Sequence, residues 1–147
     1  MITHILEGKA LPIYGDGMNV RDWLHVRDHC RAIDLIFARG RVGQVYNIGG
    51  HAERGNLALV RELSHIIDEK FENSPTLRRQ FTRSPAARGV ASSSLITFVT
   101  DRAGHDRRYA IDSAKIEREL HFKLAHQLGA GLRETVDWYL GRTAIPK

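Results

Sequence analysis

Apolar residues recur along this chain in a helical period, broken by short extended runs. Ile33, Ile36 and Phe37 stand at i, i+3 and i+4 and predict a helix over 28–39, stopped by Gly40, with Asp28 suiting the positive end of its dipole. Val60, Leu63, Ile67 and Phe71 form a second face, in a helix predicted over 56–71 with Asn56 as its cap. Leu128, Leu132, Val136 and Leu140 recur at every fourth position and predict a closing helix over 127–140. A shorter helix is expected from its cap at Asp112 to Leu120. Residues 2–7 read as the tail of a helix ended by Gly8. Since a domain seldom begins one turn before a helix stop, the sequence is expected to start inside a larger fold. Extended segments are expected at 11–14, 20–26, 44–48, 95–99 and 107–111. Gly15-Asp16-Gly17 reads as a turn, because glycine tolerates positive φ. Residues 73–94 hold two prolines, many small residues and no apolar period, which predicts a mobile loop. Alternating strands and helices point to an α/β or α+β layout.

Composition changes this picture in two places. Length allows one domain: 147 residues, 42% hydrophobic and 27% charged, as in ordinary soluble chains. The single cysteine, Cys30, excludes an internal disulfide and suits a reducing compartment. No apolar run approaches the ~18 residues of a membrane helix, and the first residues are too short and mixed for a signal peptide. A cytoplasmic protein with no membrane partner is expected. The net charge of +5 hints at nucleic acid, but its location argues against it. Residues 73–94 carry Arg78, Arg79, Arg83 and Arg88 and no acid, so the rest of the chain is nearly neutral. No nucleic-acid partner is expected.

Several chemistries lack their parts. Gly15-x-Gly17 is followed by Val20 where a third glycine would stand, and it leads into a strand, so no dinucleotide loop is expected. Tyr14, Tyr46, Tyr109 and Tyr139 are followed four residues on by Met18, Gly50, Ser113 and Thr143, so no Tyr-x-x-x-Lys pair exists. His25 and His29 are four apart, but no second pair of histidines or cysteines completes a metal site, and the eight histidines read as separate surface or capping residues. Cys30 reads as a small, partly buried residue, and there is no nucleophile elbow for a serine triad. No catalytic, cofactor or metal residue is therefore assigned.

Anion binders remain. Arg21 offers a planar fork that matches phosphate oxygens, unless it pairs with Asp22. Asn56 stands at a helix start, where backbone N–H groups favour anions. Residues 101–109, Asp-Arg-Ala-Gly-His-Asp-Arg-Arg-Tyr, are the densest polar stretch and read either as a phosphate-and-hydroxyl grip or as an exposed loop.

Five stretches together carry a resemblance: Leu11-Pro-Ile-Tyr-Gly, Val20-Arg-Asp-Trp-Leu, Asp28-His-Cys-Arg-Ala, Val45-Tyr-Asn-Ile-Gly-Gly and Asp101-Arg-Ala-Gly-His-Asp-Arg-Arg-Tyr-Ala. In order and wording they resemble the dTDP-glucose 4,6-dehydratases of the extended short-chain dehydrogenase/reductase superfamily, across nearly everything but 73–94. The closing Thr135-Val-Asp-Trp-Tyr-Leu fits as well. The resemblance implies an α/β fold: the C-terminal portion of a Rossmann-type architecture, with a small sheet and about four helices. It implies that residues 1–147 form one sugar-nucleotide-binding domain, with the NAD-binding and catalytic half absent. The family oxidises glucose C4 with NAD, eliminates water across C5–C6 and returns the hydride to C6, for rhamnose and related sugars. Carried onto this sequence, its substrate contacts are Pro12, Ile13, Tyr14, Arg21, Asn56, Asp101, Arg102, Ala103, Gly104 and His105. The implied ligand is dTDP-glucose or dTDP, and the implied partner is the missing N-terminal half, within a homodimer in the complete enzyme. No NAD is expected on this chain alone, nor activity. Rival readings are a non-catalytic nucleotide-sugar-binding fragment and part of a UDP-sugar decarboxylase or epimerase.

Two departures stand out. Ala103 replaces a proline usual in the family, which removes a φ restraint. Residues 73–94 are longer and more basic than the usual connection and are expected to bulge outward. The resemblance places 28–40 and 44–48 beside the absent half, so Ile33, Ile36 and Phe37 are expected to be exposed.

Overall fold

Alternation decides the first strand. In β1 (Leu11–Tyr14), Leu11 and Ile13 turn into the core while Tyr14 faces solvent. The computed structural model, which describes residues 1–142, pairs β1 in parallel with β4 (Ile96–Val99), Pro12 standing opposite Thr97. The pair has no third strand, so the missing N–H of Pro12 breaks no inner ladder. β2 (Val20–Asp22) pairs antiparallel with β3 (Glu53–Gly55), giving two sheets of two strands where one small sheet was expected.

Among the described residues six α-helices accompany these strands: α1 (Ile2–Glu7), α2 (Val26–Arg39), α3 (Asn56–Glu72), α4 (Pro75–Gln80), α5 (Ala114–Leu120) and α6 (Leu128–Leu140). The predicted faces hold on α3 and α6. Val60, Leu63, Ile67 and Phe71 are buried, as are Val136 and Leu140, in a core shared with Ile5, Leu6, Leu11 and Ile13. Gly8 ends α1 at φ 67°, where a Cβ would strike the carbonyl oxygen of Arg83. A second, smaller core joins α2 to α5 through Ala32, Ile116, Leu120 and Phe122.

Residues 73–94 are not an outward loop. They fold as α4 and two 3₁₀ turns, Pro85–Arg88 and Ser92–Leu95, packed on α3. Phe81 drives this: it is buried against Phe71, with ring centroids 6.2 Å apart. Polar clamps fix the ends of the segment. Asp68 accepts from the Ser92 backbone N–H and its hydroxyl at 2.5–3.1 Å. Arg78 donates through Nε to the carbonyl of Phe71 (2.9 Å) and through Nη2 to that of Glu72 (3.4 Å), capping the negative end of α3. This arginine thus has a structural use within the basic stretch.

Other predicted elements and boundaries also differ. β2 stops at Asp22, and α2 starts at Val26, not Asp28, with the Asp28 carboxylate buried in its first turn. Residues 44–48 form no strand among the described residues. Tyr46 and Ile48 pack on the second core and Val45 is exposed, so the alternation is real, but no neighbouring strand offers a ladder. Residues 107–111 contribute only one bridge, Val20 to Arg108. Asn56 and Asp112 are not N-cap residues: Gly55 and Ser113 hold those positions, although the Asp112 carboxylate still accepts from the Ala114 N–H at 2.9 Å.

The outward face of α2 is apolar. Val26, Ile33 and Phe37 are exposed, Phe37 at 94%, and Val42 and Val45 follow. Ile36 departs from expectation: it is half-buried against the second core. Cys30 is exposed, not partly buried. No described helix is long and apolar enough to cross a membrane.

Candidate nucleotide site

Arg21 stands in β2, where a two-stranded ladder leaves its side chain free to reach residues 105–109. Its Nη1 donates to the Val20 carbonyl (2.7 Å) and Nη2 to the Asp106 carbonyl (2.9 Å). Nη2 also lies 3.0 Å from His105 Nε2, and the guanidinium stacks over the Tyr109 ring at 4.2 Å. Asp22 is not its partner, because that carboxylate accepts the N–H groups of Gly50 (2.6 Å) and Ala52 (2.8 Å). Among the described residues no carboxylate pairs with Arg21. Its donors to neutral acceptors fix the fork, and its charge stays uncompensated.

His105 links the two candidate elements. Its Nδ1 is 2.6 Å from Asp101 Oδ1 while Nε2 faces Arg21. The same contact holds the Asp101 carboxyl below its ordinary pKa, helped by the Arg102 N–H. Between them, Gly104 takes φ 70° and the His105 N–H returns to the Arg102 carbonyl at 3.2 Å, closing a turn with Ala103 and Gly104 at its centre. Arg102 stacks on Tyr14 at 5.1 Å, and Tyr14 meets His105 edge-on at 6.1 Å.

The structure thus brings Tyr14, Arg21 and residues 101–105 together. Asn56, the first residue of α3, joins through Asn19: its backbone N–H donates to the Asn19 carbonyl (3.0 Å), while Asn19 Nδ2 donates to the Asp106 carbonyl (3.2 Å). Asn56 also lines a cavity of about 400 Å³ beside Trp23, His25 and Leu59. Ile13 does not join. Its side chain is 2% exposed and faces the core, leaving only its backbone to meet a ligand. Pro12 lies half-buried in the β1–β4 ladder.

Sequence reading did not single out Asn19 or Tyr109. Asn19 is buried and ties the start of α3 to residues 105–106, a role without a local pattern. Tyr109 donates to Asp106 Oδ2 at 2.6 Å, and that carboxylate pushes the phenol pKa up. Its place under Arg21 is visible only in three dimensions. Nearby, Arg107 pairs with Asp16 (3.0 Å) and Arg108 with Glu53 (2.7 Å). Arg21, Arg102 and Arg54, which stands opposite Arg21 in the β2–β3 ladder, form no ion pair among the described residues.

The one glycine-x-glycine turn does not fit a dinucleotide phosphate. The Gly15-Asp16-Gly17 turn joins two strands and makes no cradle: a Cβ at Gly17 would strike Ile13 and Leu57, and Gly15 abuts the Asp101 carboxylate, which repels phosphate.

The chain matches known proteins over most of its length. A family model described as GDP-mannose 4,6 dehydratase matches residues 1–135. The chain is 45% identical over 143 residues to the dTDP-glucose 4,6-dehydratase of Salmonella typhimurium, covering 97% of this chain and 36% of that protein. The crystal structure of the dTDP-glucose 4,6-dehydratase of Bacillus anthracis, in complex with NAD, superposes with a TM-score of 0.73 at 43% identity, over 94% of this chain and 37% of that one. The Streptomyces venezuelae dTDP-glucose 4,6-dehydratase, determined with NAD and TYD bound, gives a TM-score of 0.70 at 42% identity, over 94% and 36%. The chain spans little more than a third of the length of these relatives.

Proposed function

The chain belongs to the GDP-mannose 4,6-dehydratase family, and on that premise we propose that it is the C-terminal, sugar-nucleotide-binding part of a dTDP-glucose 4,6-dehydratase. One observation supports this most: a guanidinium without a carboxylate partner, held by two carbonyls, an imidazole and a tyrosine face. Such a cation is already ordered and has no counter-ion to displace, so an arriving diphosphate meets a formed receptor.

In this reading Arg21 takes the diphosphate, with Arg102 adding charge at the rim and Asn56 adding an amide at the start of α3. Tyr14 and the Pro12–Ile13 backbone edge suit the thymidine side. Residues 101–105 close over the ligand, their turn pinned by the Asp101–His105 contact. The chain holds and orients the nucleotide. Hydride transfer by NAD and the acid–base steps belong to residues outside this sequence, so the chain alone converts no dTDP-glucose. The exposed face of Val26, Ile33 and Phe37 then meets the NAD-binding part of the enzyme, which assembles as a dimer in the cytoplasm.

Calorimetry tests the reading. The chain should bind dTDP, thymidine much more weakly, and UDP less well than dTDP. A charge-assisted hydrogen bond contributes about 1.5–3 kcal/mol, so Arg21→Ala should weaken dTDP binding by about tenfold or more. An unchanged dissociation constant in that variant, with circular dichroism showing an intact fold, removes Arg21 from the site. A preference for UDP would instead favour the epimerase and decarboxylase relatives.

A further inference from the structure

His25, His126 and Glu134 lie far apart in the chain, yet the fold gathers a ligand atom from each within 4.8 Å. His25 is the N-cap residue of α2, His126 precedes α6, and Glu134 stands on α6. The two imidazoles are tilted by 33° with centroids 4.1 Å apart. Gly131 makes this approach possible, since even a Cβ there would come within 3.2 Å of His25 Cδ2. Imidazole nitrogens are ordinary ligands of a divalent metal ion. His25 Nδ1 is buried with no hydrogen-bond partner in the protein, so this polar atom is left for a ligand to satisfy.

The spacing also fits. His126 Nε2 and Glu134 Oε2 are 3.4 Å apart. Two ligands bound at about 2.1 Å in a tetrahedron stand about 3.4 Å from one another. Outer contacts hold both groups. Arg27 Nη1 grips the other Glu134 oxygen at 2.5 Å and turns Oε2 toward His126. The fully buried Asp28 carboxylate lies 3.2 Å from His126 Nδ1, off-line for a hydrogen bond, and a small ring rotation would align it. A carboxylate behind a ligating histidine fixes its tautomer and raises its basicity. His25 and His126 also line the cavity of about 400 Å³, which gives water access to a fourth position.

We propose that His25, His126 and Glu134 bind one divalent transition-metal ion of borderline softness, Zn²⁺ or Co²⁺, in a three-ligand site open to the cavity. The proposal does not rest on the diphosphate reading, although Asn56 lines the same cavity. Co²⁺ is the probe: titrated into the 147-residue chain after chelator treatment, it should give the visible absorption of tetrahedral N/O coordination at one ion per chain, displaced by Zn²⁺. His126→Ala and Glu134→Gln should each weaken binding by about tenfold or more, while His29→Ala should not. Histidine ¹⁵N shifts of the unmutated chain provide a readout free of folding effects: Zn²⁺ should move the His25 and His126 signals and leave those of His4 and His65 in place. No Co²⁺ spectrum, binding unaffected by both variants, or Zn²⁺ shifts confined to other histidines would overturn the proposal.

Discussion

Asp28 is the most informative residue to remove, because a charged carboxylate is fully buried at the junction of α2 and α6. Its oxygens accept the backbone N–H of Ala125 at 3.1 and 3.2 Å and that of His126 at 2.9 Å, and Arg31 Nη1 approaches at 2.7 Å. Burial by itself would raise its pKa. The N–H donors of His126 and Ala125 outweigh that and hold the carboxyl below its ordinary value. Asp28→Ala strands two backbone N–H groups, each worth about 1–3 kcal/mol when buried and unpaired. Arg31 is half-exposed and returns to water at little cost, below about 1 kcal/mol. Water entering the vacated space recovers part of the remainder, so the net loss should be about 3 kcal/mol, a large share of the ~5–15 kcal/mol that holds a domain together. Asp28→Asn keeps one acceptor oxygen and should lose about half as much. Urea unfolding with a chelator present measures both, as a shift in midpoint at constant slope. Amide exchange at Ala125 and His126 should quicken in the alanine variant. A loss below about 1 kcal/mol with unchanged exchange at those amides would refute the account, because other acceptors would then be satisfying them.

Two further outcomes follow from the same hydrogen-bond accounting. Gly104 at φ 70° and the His105-to-Arg102 bond describe a turn whose first central residue is Ala103, a position that proline suits. Ala103→Pro should therefore stabilise the chain by about 0.4–1 kcal/mol by restricting the unfolded state, read as a raised melting temperature, and a lowered one would exclude that turn geometry. His51 contacts Glu117 at 2.5 Å and Ser113 at 3.0 Å; Glu117 raises the His51 pKa, and His51 with Ser113 lowers that of Glu117. A raised histidine stabilises fully below its unfolded value near 6.5 and loses that contribution as pH climbs through the folded value. Both side chains are substantially exposed, so the contribution is at most about 1 kcal/mol. Stability should decline slightly as pH rises above about 6.5, and His51→Ala should flatten the decline, whereas an unchanged slope would mean the pair is inert.

What the sequence made legible was whatever a local period or a single residue could encode. The faces of α3 and α6, the Gly8 stop and the Leu11–Ile13 alternation all follow from neighbours within a turn or two. Residues 73–94 failed because their order is borrowed. Phe81 needs Phe71, Ser92 needs Asp68, and Arg78 needs the last carbonyls of α3. These partners belong to another element, α3, and one large apolar residue makes no period. Residues 44–48 failed in the opposite sense: the alternation is present, but a strand exists only when another lies beside it. Among site residues, Arg21 and the 101–105 stretch were visible by their chemistry, whereas Asn19 and the His25–His126–Glu134 cluster have no local signature.

The distribution of charge decides how the candidate site is to be understood. Four arginines converge on β2 and the stretch after Asp101, and a cluster of that kind could be mere surface basicity. The structure divides them by function. Arg107 and Arg108 are matched by Asp16 and Glu53, and these pairs pin the stretch to the Gly15–Gly17 turn and to β3. Arg21 and Arg102 are instead turned onto aromatic rings and neutral acceptors. Acidic side chains are close enough to have served: Asp22 adjoins Arg21, and Asp101 adjoins Arg102. Each is occupied elsewhere, Asp22 by the N–H groups of Gly50 and Ala52, and Asp101 by His105. A fold that merely tolerated basic residues would let adjacent acids cancel them. Here the acids are held by backbone amides and a histidine, which leaves both guanidinium groups available to the proposed diphosphate.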